Sequence, residues 1–113
     1  MFVGRGMSMA ASFSVTIIEM SHYQDPQGER NYDGFPTLEL AREFARRWVR
    51  DSVEELRSPG QSPEEFRKLW FIYGEDAFTE GYRGPDELSY FVEHPATAEE
   101  CDWAAALKEA GLR

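Results

Sequence analysis

The chain predicts a small α+β domain in the order ββααββα, with helices packed on one face of a small, mostly antiparallel sheet. Three observations carry that prediction. An alternating apolar run opens the ordered part of the chain, two long stretches repeat their apolar residues at helical spacing, and capping residues and glycines punctuate every change of period. At 113 residues with 42% apolar and 14% aromatic side chains, one core can be filled. The expected organisation is a leader over residues 1–11 and one globular domain over residues 12–113.

Phe13, Val15 and Ile17 alternate with Ser14 and Thr16, and Ile18 and Met20 extend the run, so residues 12–22 read as a strand with one buried face. Asp25, Pro26 and Gly28 supply turn chemistry, and residues 30–35 return as a second strand of a hairpin. Thr37 stands at an N-cap position. After it Leu38, Ala41, Ala45, Trp48, Val49, Ser52, Val53 and Leu56 recur at helical spacing, which predicts a helix over 38–57 ended by Pro59 and Gly60.

Ser62, Pro63 and Glu65 form an N-cap, a first-turn proline and a capping-box acid. Phe66, Leu69, Trp70 and Tyr73 then follow at i, i+3, i+4 and i+7, predicting a helix over 63–73. The competing reading makes the continuous run 69–73 a buried strand. Residues 77–82 and 88–93 flank an Arg-Gly-Pro-Asp loop and read as a second hairpin. Thr97 and Glu100 make a capping box expected to open a last helix, closed by Gly111.

Charge is distributed unevenly. Residues 75–102 carry nine acids (Glu75, Asp76, Glu80, Asp86, Glu87, Glu93, Glu99, Glu100 and Asp102) against Arg83 alone. The five arginines of residues 37–57 are balanced by five acids, so most of the net charge of -9 lies in the second half. A pI near 4.6 argues against direct nucleic-acid binding and against anionic membrane surfaces, since both call for clustered Lys and Arg. The longest apolar runs, 69–73 and 103–107, are far short of a bilayer span, and the first eleven residues lack the apolar stretch of a signal peptide. The single cysteine, Cys101, fits a reducing cytoplasm, and a cytoplasmic, bacterial-style protein is expected.

The candidates for chemistry are few. His94 and Cys101 stand seven residues apart near the predicted start of the last helix, where a helix N-terminus favours a thiolate, but Glu99, Glu100 and Asp102 oppose one. The ordinary role of a free cysteine is packing. No calcium loop or closed zinc spacing can be drawn from these residues, so neither a metal nor a cofactor is expected. Arg42, Arg46 and Arg50 make a basic stripe at i, i+4 and i+8, read first as helix-surface ion pairing with Glu39, Glu43 and Glu54.

The aromatic residues exceed what the inner faces need, which leaves some ring surface at the rim. Together these features point to a non-enzymatic interaction or regulatory module. It would meet a basic protein partner through Glu75, Asp76, Asp86, Glu87, Tyr82 and Tyr90, with a homodimer as one form of that association. Two other classes remain: a nucleic-acid mimic or immunity-type inhibitor of a basic protein, and a small enzyme using His94, Cys101 or both.

Overall fold

The computed structural model describes residues 12–112; the expected leader over 1–11 lies outside them. Strand β1 (Phe13–Glu19) is followed by two single 3-10 turns and strand β2 (Glu29–Phe35). Helix α1 (Leu38–Glu55), helix α2 (Pro63–Tyr73), strand β3 (Glu75–Phe78), helix α3 (Leu88–Glu93) and helix α4 (Trp103–Glu109) complete the order. The sheet runs β2-β1-β3 with both neighbours antiparallel to β1. The α+β class and the antiparallel sheet are therefore as the sequence predicts.

Alternation on β1 decides which side is core. Val15 and Ile17 are fully buried, whereas Thr16 and Ile18 face the other side of the sheet. Helix α1 lies on the inner face and buries Ala41, Phe44, Ala45, Trp48, Val49 and Val53, a stripe that follows the predicted phase. The Thr37 hydroxyl accepts a hydrogen bond from Leu40 N at 3.1 Å to start it. On α2, the Ser62 hydroxyl accepts from Glu65 N while Glu65 accepts from Ser62 N, so the capping box is formed at both ends. Residues 69–73 belong to this helix, which removes the strand alternative. A Cβ at Gly74 would collide with the Trp70 indole, so only glycine lets the chain turn against that ring into β3.

Two local expectations are corrected. Leu88–Glu93 is a helix and not the return strand of a hairpin. The reason is legible in its burial: Leu88, Phe91 and Val92 are inside at i, i+3 and i+4, a helical period, while Ser89 and Tyr90 are outside. The first half of the expected hairpin survives as β3 and a single Thr79–Tyr82 bridge. The Thr97–Glu100 box is also formed, but it caps the 3-10 turn Glu99–Cys101; α4 starts later, with the Asp102 carboxylate accepting from Ala105 N at 3.0 Å.

The basic stripe does more than pair along its own helix. Arg42 donates to the carbonyl of Glu80 at 3.0 Å, Arg46 donates through Nε to both carboxylate oxygens of Glu87, and Arg50 donates to the carbonyl of His94 at 2.6 Å. Arg57 donates to the carbonyls of Phe91 and Val92, each at 2.9 Å, and Arg47 to that of Asp102 at 3.1 Å. Pairing along the helix is present too, in Arg47–Glu43 and Arg57–Glu54. The arginine-rich helix is thus the partner of the acidic segment within one chain. Guanidinium suits this role, because five donors in a planar fork can bind carbonyls and carboxylate together.

Burial would raise the Glu54 carboxyl, but the hydrogen bonds from Arg57 and from Ala96 N outweigh it and hold its pKa below the ordinary carboxylate value. A depressed folded-state pKa stabilises the fold above the unfolded value, near 4.3, and that contribution is lost as pH falls through the folded value. Chemical denaturation at pH 7 and pH 3 is expected to show a smaller acid loss in Glu54→Gln than in the parent. An equal loss in the two proteins would place the acid sensitivity elsewhere.

Candidate functional site: an acidic cleft beside two tryptophans

Helix α1 projects Trp48, Asp51, Ser52 and Glu55 from consecutive turns of one side. Trp103, at the start of α4, packs on Trp48 with ring centroids 4.3 Å apart. Glu75, at the start of β3, closes the third side, and together these residues line a cleft of about 140 Å³. Each indole N–H is committed to a carboxylate: Trp48 Nε1 donates to Glu75 at 2.8 Å and Trp103 Nε1 to Asp51 at 3.1 Å. Ser52 sets the floor, accepting from both Trp70 Nε1 and Glu75 N.

Three carboxylates thus share one cleft. The nearest cation is Arg30, whose guanidinium lies 3.7 Å from Glu75 and 5.3 Å above the Trp48 ring. Burial, and then the charges of Asp51 and Glu75, push the Glu55 carboxyl above its ordinary pKa. A carboxyl group whose pKa is raised by like charges favours an added positive charge beside it. Among the described residues no three His, Cys, Asp or Glu side chains converge closely enough to hold a metal ion. An organic cation stacked beside an indole is the species that this combination of charge and ring face suits.

The six residues singled out from the sequence fall into different environments. Glu75 belongs to this cleft. Asp76 is turned inward, and its Oδ1 accepts from Ala77 N at 2.8 Å and Gly84 N at 2.9 Å. Glu87 is held by Arg46, with the half-buried Tyr82 beside the pair; the Tyr82 hydroxyl is buried without a hydrogen-bond partner among the described residues. Desolvation, reinforced by Glu87, raises its pKa. Tyr90 is exposed and stacks on the His94 ring at 4.0 Å, and Asp86 is exposed in the turn that precedes α3.

His94 and Cys101 have separate surroundings. His94 Nδ1 lies 2.9 Å from the carbonyl of Tyr90. Burial, followed by the charges of Asp51 and Glu54, pushes the Cys101 thiol up to about 11, so only a trace of it is thiolate at neutral pH.

Asp51 and Glu55 are the residues that sequence reasoning passed over, because they were counted as balancing the arginines of their own helix. Their spacing carried a signal: two like charges at i and i+4, beside Trp48 and not beside the arginine row. Among the described residues no helix is long and apolar enough to cross a membrane. No protein-family model matches the chain, and no curated protein or solved structure matches it.

Proposed function

We propose that this protein is a non-enzymatic interaction module that binds a basic protein partner, taking one of its cationic side chains into the acidic cleft beside Trp48 and Trp103. The observation that carries this reading is the gathering of Asp51, Glu55 and Glu75 around two indoles with Arg30 as the nearby cation. A Lys or Arg side chain entering there gains opposite charge and a ring face together, and partner and module would attract one another before contact. The run of acids along residues 75–102 contributes less than its number suggests, since Glu87 and Glu100 face arginines of α1 and Asp76 is buried. The exposed Glu80, Asp86 and Glu93 remain to steer such a partner.

N-acetyl-arginine amide serves as the probe, with the indole N–H signals of Trp48 and Trp103 as the readout. Both signals are expected to shift on titration, more at low salt than at high salt, because the attraction is screened. In Asp51→Asn combined with Glu55→Gln the shifts should disappear while the fold persists. Titration that leaves both indole signals unmoved in the parent protein rejects the cleft as a cation site.

A further inference from the structure

Among the described residues the sheet has one blocked edge and one open edge. On β3, the outward N–H of Glu75 is taken by the Ser52 hydroxyl and that of Ala77 by the Asp76 carboxylate. On β1, Met20 N donates to Gly74 O at 2.9 Å and Ser14 O accepts from Thr79, so the even-numbered positions turn their main chain toward β3. Val15 and Ile17 therefore bond β2 at their partners Tyr32 and Arg30. Between those positions, the N–H and C=O of Asn31 point away from the sheet, as does the C=O of Glu29. None of these three groups has a hydrogen-bond partner among the described residues.

Beneath that edge lies an apolar groove of about 680 Å³, walled by Tyr32 on the strand and by Trp103, Leu107 and Leu112 on and after α4. Gly34, with a φ of 92°, brings the strand against Leu112, so the groove runs alongside β2 itself. On the opposite face of the sheet, Glu29, Asn31 and Asp33 form an exposed row.

We propose that the open edge of β2 receives an extended segment of the basic partner as a fourth strand. This inference rests on the proposed function only in taking the partner to be basic. Main-chain groups of the segment would bond Asn31 and Glu29, and its alternate side chains would divide between the two faces. Those directed toward α4 enter the groove and are aliphatic or aromatic. Those on the other face stand opposite Glu29 and Asp33, where Lys or Arg is favoured and Asp or Glu is repelled. The segment therefore alternates basic and apolar residues. A second copy fits less well: two β2 strands paired antiparallel about Asn31 set each Glu29 against the other's Asp33, between chains that each carry a charge of -9.

The test uses a fluorescent hexapeptide of sequence Lys-Ile-Lys-Phe-Lys-Val, with fluorescence anisotropy as the readout. The parent protein is expected to bind it, and replacing its lysines by glutamates or N-methylating its alternate amides should abolish binding. Asn31→Pro removes the outward N–H while sparing the bonds to β1, as proline on a strand edge allows. It should weaken binding by roughly threefold to tenfold, the loss expected when one main-chain hydrogen bond cannot form. Ala105→Phe, which fills the groove, should do the same if the apolar side chains enter it, whereas Glu64→Gln, exposed on α2 away from both the edge and the cleft, should leave affinity within about twofold.

Binding that survives both Asn31→Pro and amide methylation overturns the edge inference. If that binding is instead lost in Glu55→Gln, the cleft reading stands without it. Failure of the peptide to bind at about 1 mM also overturns the inference. So does a dimer of the parent chain in sedimentation that dissociates in Asn31→Pro, since it gives the edge to a second copy.

Discussion

Trp48→Ala is expected to lose about 3–5 kcal/mol of folding stability, the range for deleting a large aromatic ring from a core. Trp48 is 6% exposed and joins three parts of the molecule. Its ring centroid lies 5.6 Å from that of Tyr32 on β2, 5.7 Å from that of Phe44 on its own helix and 4.3 Å from that of Trp103 on α4. Its N–H is the donor that orients Glu75. A loss of this size is a large share of the stability of a small domain, so the variant should unfold at a much lower denaturant concentration. A midpoint equal to that of the parent would place the indole outside the core and refute the assigned phase of α1.

Asp76→Ala is expected to cost about 2–4 kcal/mol, because it leaves the N–H groups of Ala77 and Gly84 without their acceptor in a buried place. Burial pushes the Asp76 carboxyl above its ordinary pKa, and the two N–H groups hold that rise back. A raised folded-state pKa means that ionised Asp76 is disfavoured in the fold, so its stabilising contribution is greatest below the unfolded value and declines as pH rises through the folded one. Asp76→Asn keeps an oxygen acceptor and carries no charge. It should therefore retain most of the parent's stability at neutral pH, as measured by denaturation. A loss in Asp76→Asn equal to that in Asp76→Ala would show that charge, and not the acceptor, holds the Gly84 turn.

Much of the fold was legible because local signals agreed with one another. The Ser62–Glu65 box, Pro63 and the apolar spacing of residues 66–73 all named the same helix, and that helix is present. Residues 88–93 show the limit of such reading. Six residues between turn signals fit either period until burial of Leu88, Phe91 and Val92 selects the helical one, and that burial depends on arginines distant in sequence. The site was less visible still. Glu75 was found through its place in an acidic run, whereas Asp51 and Glu55 became its neighbours only when α1 crossed the start of β3. Asp76 looked like one more surface acid, and no local pattern announced that Gly84 would return to its carboxylate.

The arginine-rich helix binds the acidic segment within the chain and thereby fixes which of its carboxylates stay exposed. Arg57 is the sharpest instance of this binding, since one guanidinium binds Glu54 through two nitrogens and also the carbonyls of Phe91 and Val92 on α3. Amide hydrogen exchange in Arg57→Gln, followed residue by residue, tests this most directly. Exchange of the α3 amides is expected to be faster, with that of the β1 amides nearly unchanged. Unaltered protection across α3 would contradict this.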